Sequence, residues 1–394
     1  MKKLFTYLKG DKAIWVVVVL LGLFSILAVY GSIVTLAVKN KGGDTEYYLI
    51  RHVIMLGLGF WVMYQAHRLK FTYYARIGQW LYWVAAGLLL LTLVKGTNLN
   101  NANRWLQIPI INQSFQTSDF AKIIIVLVVA RLLAMRQEHV ADYRKVLLPV
   151  LMYTGVVCAL ILPANFSTAA LVFLVCFVML FIGRIPGKQL LSVAGLGLGG
   201  ILLMVGLATV APDLLPRAKT WQNRLLNFNS GDEEGNYQVE HAKYAIASGG
   251  ILPHGPGTGN SRNFLPHPYS DMIFAYIVEE YGSVVGGLGM LMLYLVLLLR
   301  SIQIAIKCPK LFGTFAALGL SLMLVIQALV NMSVAVNLIP VTGQPLPLVS
   351  MGGTSTLFTC LSIGIILSIS RSVYEDLPDP EDNHEHKTTQ YEVA

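Results

Sequence analysis

The chain has 394 residues, 55% of them hydrophobic and 13% charged, with a mean hydropathy of +0.62 and a net charge of +8. A soluble domain this apolar would expose adhesive patches everywhere, so its solvent is the bilayer. Cys158, Cys176, Cys308 and Cys360 form no close pair, which excludes a disulfide framework, and the basic residues never cluster with aromatics, which excludes a nucleic-acid partner.

At the N-terminus, Lys2, Lys3, Lys9 and Lys12 precede an apolar run over 13–38. That run far exceeds the roughly 7–15 residues of a cleavable signal core, so it is an uncleaved first span. Runs of about 20 apolar residues cross a bilayer as helices. Ten are read along the chain, at 13–38, 52–66, 77–94, 120–134, 146–163, 168–182, 190–211, 272–299, 312–337 and 348–370. They are apolar on every face, unlike the alternating strands of a barrel.

Lysine and arginine set the orientation. With the N-terminus inside, the inner segments hold Arg68, Lys70, Arg76, Arg131, Arg136, Arg144, Lys145, Arg184, Lys188, Arg300, Lys307, Lys310 and Arg371, whereas the short outer loops hold Lys39, Lys41, Arg51, Lys95 and Arg104. The expected fold is an all-α polytopic membrane protein of about ten helices, N-in and C-in, with one long extracytoplasmic loop over 212–270 between the seventh and eighth spans. Residues 1–371 read as a single transmembrane domain. The acidic tail over 372–394 has nothing to bury and reads as disordered and cytoplasmic.

Function should announce itself as polar groups that a bilayer excludes. Before the fourth span lie Arg104 and Trp105, then Gln116, Thr117, Ser118, Asp119 and Lys122. Thr117 or Ser118 suits an N-cap, and Asp119 and Lys122 share a helical face. The long loop carries Gly255, Gly257, Gly259 and Asn260, then His267 and, at the entry to the eighth span, Asp271. Glu279 and Glu280 follow about two turns further on, roughly 12 Å from Asp271 in a continuous helix, and adjacent acids in a span need a partner or a wet cavity. Asn331 adds a hydrogen-bonding group to the ninth span. Near the tenth span, Pro340, Pro345 and Pro347 break regular helix beside Ser350, Gly352, Gly353, Thr354 and Ser355; irregular polar backbone at that depth requires cover by protein or water. The convergence of an acid, cations and glycine-proline segments on one side points to a polar, anionic ligand approached from outside or from the lipid.

Three motifs carry a family resemblance: Asn103-Arg104-Trp105-Leu106 with Gln116 to Lys122; Leu265-Pro266-His267-Pro268-Tyr269-Ser270-Asp271 running to Glu279-Glu280-Tyr281-Gly282; and Pro340 through Ser355. With them the chain resembles, over nearly its whole length, the SEDS (shape, elongation, division and sporulation) family. The last stretch resembles the division member FtsW more than the elongation member RodA. The resemblance implies polymerisation of lipid II into glycan strands at the septum, alongside a class B penicillin-binding transpeptidase and other divisome membrane proteins. It implies that Asp271 matches the family's essential acid and Lys122 its fourth-helix lysine; the chemistry of joining a hydroxyl to a carbon bearing a pyrophosphate then assigns Asp271 as general base and Lys122, with Arg104, to the departing pyrophosphate. Substrate contacts are expected from Trp105, Gln116, Ser118, Asp119, Asn260, His267, Glu279, Glu280, Asn331, Ser350, Gly352, Gly353, Thr354 and Ser355. No ligand spacing demands a metal; Mg²⁺ or Mn²⁺ joining Asp271 to the pyrophosphate stays open. The sequence departs from the family at Asn165, His267 and Thr342, where members often carry an acid, an acid and a lysine, and this concentrates the chemistry on Asp271. A lipid II flippase and a non-catalytic scaffold for the transpeptidase are the alternatives.

Overall fold

The computed structural model describes residues 9–41, 44–99, 102–108, 113–210, 220–222, 224, 228, 233–266 and 268–375, with side chains described for these except 35, 39–41, 97–99, 102–104, 108, 113, 203–205, 207–210, 233–236 and 375. Helices dominate: α1 (Lys12–Ser32), α2 (Val34–Lys41), α3 (Thr45–Arg68), α4 (Phe71–Lys95), α5 (Thr117–Met135), α6 (Leu148–Ile161), α7 (Phe166–Ile182), α8 (Gly187–Val210), α9 (Glu233–Ser248), α10 (Ile273–Tyr281), α11 (Met290–Lys307), α12 (Leu311–Ala335) and α13 (Thr354–Glu375). Among the described residues, seven helical stretches are long and apolar enough to cross a membrane. Their outer faces carry bare apolar side chains such as Trp80, Leu191 and Leu202, each more than 70% exposed, which only lipid would cover. The chain is an integral membrane protein.

The most enclosed spans are α12 and α13, about which the others gather. α13 lies along α3, and small residues permit the approach: a methyl on Gly364 would meet the Met63 carbonyl at 2.6 Å, and one on Gly59 the Cys360 sulfur at 2.8 Å. At one end of the bundle Asp11 ties three helices together. Its Oδ1 caps α1 by accepting from the N–H groups of Ala13 and Ile14, its Oδ2 takes Arg300 of α11 at 2.5 Å, and its own N–H donates to Ser370 of α13 at 2.8 Å.

Four expectations are corrected. The fold is not wholly α: β1 (Thr97–Leu99), β2 (Ala102–Ile108) and β3 (Gln113–Gln116) form an antiparallel sheet in the order β1-β2-β3, with Trp105 opposite Gln116. The strands Ala102–Ile108 and Gln113–Gln116 carry no sustained helical run of apolar residues, and backbone pairing across the sheet satisfies their peptide groups. The long loop contains a helix, α9. The tenth span begins at Thr354, because Leu348 (φ 68°) and Gly353 (φ 53°) leave helical geometry, and α13 continues past residue 371 to Glu375.

The fourth correction has the largest consequence. The eighth span is two helices, because Gly282 has φ 71° and ψ 168°, a conformation outside any helix and open to glycine. α10 precedes the break, and a wide helical turn over Gly282–Gly289 leads into α11. Glu279 and Glu280 therefore end a short, buried helix instead of descending a span. Tyr276 and Glu280 pack on Gly31, near the end of α1 opposite Asp11. Twenty helical residues separate these levels, about 30 Å, a hydrocarbon thickness. The acids lie buried in protein at the end of α1 remote from Asp11.

Candidate functional site

At the level of Gly31 rather than Asp11, a cavity of about 580 Å³ opens among α3, β2, β3, the turn before α10 and the segment between α12 and α13. Its charged side chains include Asp271, Arg51 and Arg224; its polar ones include His52, Asn165, Gln238, Tyr269, Ser270 and Gln344. A chamber of this size holds a small-molecule ligand or headgroup.

The backbone beneath Asp271 is held at three consecutive carbonyls. Tyr269 O accepts from the N–H of Met351 at 2.9 Å, Ser270 O from the hydroxyl of Ser350 at 2.6 Å, and Asp271 O from the amide of Asn331 at 2.7 Å. Asn331 also donates to Gln344 O at 2.8 Å, and Ser350 Oγ accepts from the N–H of Leu346 at 2.8 Å. The proline-broken segment and the acid's turn thus form one hydrogen-bonded unit. Proline explains the irregularity: each ring removes a donor and blocks the helix, leaving carbonyls for side chains to satisfy. Tyr294 serves Pro347 O at 2.6 Å, Gln327 serves Pro345 O at 2.9 Å, and Ser25 serves Val349 O at 2.8 Å. Gly343 adopts φ 65°, the left-handed region that favours glycine, close to the Asp271 carboxylate: a Cβ there would lie 3.9 Å from Oδ2, an ordinary contact.

Arg224 donates to Val341 O at 2.8 Å and lies 5.5 Å from the Trp221 ring centroid. Burial pushes its pKa down, and the Asp271 carboxylate opposes that shift, so the pair shares one electrostatic environment. Ser25 Oγ donates to Val349 O at 2.8 Å and stands 2.8 Å from His52 Nε2, so the hydroxyl joins the imidazole to the proline-broken segment.

Of the residues expected from sequence, Asp271, Trp105, Gln116, Gly352, Gly353, Thr354 and Ser355 line the cavity. Ser350 and Asn331 stand behind it as braces. Lys122 does not line it: its ammonium is buried, 2.8 Å from Asp119 Oδ1 and 3.0 Å from Gln327 Oε1. The i,i+3 spacing that made Lys122 look like a cation offered to substrate closes instead as an internal ion pair. Ser118 accepts from Gln116 Nε2 at 3.1 Å and borders a separate, small apolar void. Glu279 Oε1 accepts from the N–H groups of Asn260 and Ser261, at 2.9 and 3.0 Å, and from the Ser261 hydroxyl at 3.0 Å. Glu280 Oε1 accepts from the Gly257 N–H and Tyr276 OH, both at 2.5 Å. These acids and Asn260 clamp the glycine loop and stand apart from the cavity lining, because peptide N–H groups released by glycine-rich backbone are met by carboxylates at hand. The side chain of Arg104, and the whole of His267, lie outside the described residues.

Sequence reasoning missed Arg51, His52 and Arg224. Arg51 and His52 carried a signal, a cation and an imidazole at the lip of a short span on the side poor in lysine and arginine. Arg224 stood among other polar loop residues with nothing local to distinguish it. No group of three or more His, Cys, Asp or Glu side chains gathers among the described residues. A divalent cation at Asp271 would take its other ligands from water and substrate oxygens, as Mg²⁺ commonly does.

Known proteins share this architecture. Stage V sporulation protein E of Bacillus subtilis (strain 168) is 30% identical over 371 residues, covering 92% of this chain and 97% of that protein. The "Probable peptidoglycan glycosyltransferase FtsW" of Trichlorobacter lovleyi is 30% identical over 375 residues, covering 94% and 95%. A chain of a solved peptidoglycan synthase complex, studied for its coordination of polymerization and crosslinking, superposes with a TM-score of 0.73 at 26% identity, covering 93% and 99%. The rod shape determining protein RodA of Thermus thermophilus does so at 0.67 and 25%, covering 93% and 98%. The family model described as "Cell cycle protein" matches residues 11–375, and the chain belongs to that family, the FtsW/RodA/SpoVE or SEDS proteins.

Proposed function

We propose that this protein is a peptidoglycan glycosyltransferase that polymerises lipid II on the outer face of the cytoplasmic membrane, with Asp271 as general base. The observation that carries the reading is one carboxylate, held by three gripped backbone carbonyls, facing a cavity that also holds Arg51 and Arg224. The acceptor sugar hydroxyl attacks an anomeric carbon bearing a lipid diphosphate. Asp271 takes the hydroxyl proton as the new C–O bond forms, and the bond to the diphosphate oxygen breaks with its electron pair. General-base assistance contributes about 10²–10⁴-fold. Arg51 and Arg224 meet the charge developing on the diphosphate, the role sequence reasoning gave to Lys122 and Arg104. Lys122 acts at one remove, holding Gln327 against the Pro345 carbonyl in the cavity wall. His52 and Tyr269 position the sugars, and a bridging divalent cation is compatible with the chemistry without carrying a step.

Ten spans fit this reading: the seven apolar stretches, α7, α8, and α5 with its Asp119–Lys122 pair enclosed. The Asp11 end is cytoplasmic, in keeping with Arg68, Lys70, Arg300, Lys310 and Arg371 there. The division-type segment over 340–355 and the FtsW-named relatives favour septal synthesis. The similarity to a chain of a synthase complex supports a penicillin-binding transpeptidase as partner. The test is polymerisation of lipid II by purified protein. Native protein should form glycan chains without an energy source and Asp271→Asn should form none while unfolding at the native temperature. Native-rate chains from Asp271→Asn would overturn the base assignment, and transbilayer movement of lipid II without chains would favour a flippase.

A further inference from the structure

At the opposite end of the bundle a second cavity, about 260 Å³, is lined by Lys70, Phe71, Thr72, Lys310, Arg371 and Ser372 among others, with no acid among the described residues of its lining. The ammonium groups of Lys70 and Lys310 share this cavity with Arg371, which donates to the Arg68 carbonyl at 3.1 Å, and together they set up a positive field that favours an anion. The backbone adds to the positive field. Lys70 and Lys310 are the N-cap residues of α4 and α12, and neither helix has a side-chain cap or an acid in its first turn. Neither positive helix end meets a carboxylate of its own first turn, and the stacked rings of Phe71 and Phe312, 6.4 Å apart and 4° from parallel, hold the two ends side by side. Lys310 Nζ lies 5.8 Å from the Phe71 ring centroid, which favours the ammonium over an aromatic floor. The cavity also stands at the membrane boundary: Leu69 is 52%, Leu311 46% and Ile306 79% exposed, apolar surface that acyl chains would cover.

We propose that this cavity binds the phosphate of an anionic phospholipid headgroup from the cytoplasmic leaflet, tying the α3–α4 and α11–α12 turns and α13 to the bilayer. The cations and helix ends select a phosphate; the flanking exposed apolar side chains select a lipid over a free anion.

Short-chain phosphatidylglycerol titrated into the full-length protein in neutral detergent, read by native mass spectrometry, should show saturable binding that phosphatidylcholine does not reproduce. Lys70→Gln and Lys310→Gln should each weaken it about fivefold and the double substitution about 25-fold, whereas Lys188→Gln, an exposed lysine outside the cavity, should leave it unchanged. Lys310→Arg should retain binding, and unchanged unfolding temperatures separate loss of binding from loss of fold. Displacement of the lipid by equimolar inorganic phosphate would make the ligand a free anion and overturn the lipid assignment. Equal binding of phosphatidylcholine, an equal effect of Lys188→Gln, or binding only after removal of residues 376–394 would overturn it as well.

Discussion

Removing the Lys122 side chain separates a direct from an indirect role. Asp119 is buried beside it, with its side chain 5% exposed, and Oδ2 of that carboxylate has no partner among the described residues. Lys122→Ala would leave this carboxylate without a counter-charge. Breaking a buried pair from one side costs about 3–5 kcal/mol, and loss of the Gln327 hydrogen bond adds about 1 kcal/mol. A penalty of about 4–6 kcal/mol lowers the folded-to-unfolded ratio by roughly three to four powers of ten. Removing both charges in Asp119→Ala/Lys122→Ala eliminates the orphaned carboxylate, so the double variant should regain all but about 1–2 kcal/mol, the cost of a small cavity. Denaturant unfolding in detergent reads the stability, and lipid II polymerisation at saturating substrate reads the function. If Lys122 braces the wall, the refolded double variant should keep turnover within about tenfold of native. A single variant as stable as the native protein, or a stable double variant with no turnover, would refute the reasoning.

Three further outcomes follow from the geometry. Gly282→Ala places a methyl 2.6 Å from the Ile251 carbonyl at φ 71°, and should cost about 3 kcal/mol, read as a lower unfolding midpoint; a native midpoint would deny the break between α10 and α11. Glu279→Ala removes the acceptor of three hydrogen bonds from Asn260 and Ser261, so amide exchange at these residues should rise while exchange in α12 holds; unchanged exchange would show that the loop is fixed otherwise. Arg224→Gln removes the charge beside Asp271, together with the cation over the Trp221 ring, and should lower kcat about a hundredfold with little change in KM; a change confined to KM would make Arg224 a binding residue only.

The carboxylate was legible because a lone acid at the mouth of an apolar run has few other reasons to be there. The serines, glycines and prolines over 340–355 were legible for a similar reason, since a bilayer rejects broken backbone without cover. What misled was treating spacing as exposure. Asp119 and Lys122 are three apart, and that arrangement serves a ligand or each other equally well; only the position of Gln327, about 200 residues away in sequence, decided between them. Likewise Glu279-Glu280 counted as deep within a span because the apolar run continues through Gly282-Ser283-Val284-Val285 without a change of composition, although a single glycine dihedral ends the helix there.

Hydrophobic length, the asymmetry of lysine and arginine, and the polar interruptions are properties of short stretches; from sequence alone they determined that the protein lives in a membrane, and they singled out the side and the carboxylate, Asp271, on which the proposed chemistry is built. Which cations face that carboxylate is a property of distant segments meeting. Arg51 and Arg224 come to line one cavity with Asp271 only once α3, the long loop and the α12–α13 segment have packed together, and no local pattern encodes that meeting. Local pattern reflects what each residue does with solvent; the partner each charge takes is settled by the burial of all the others.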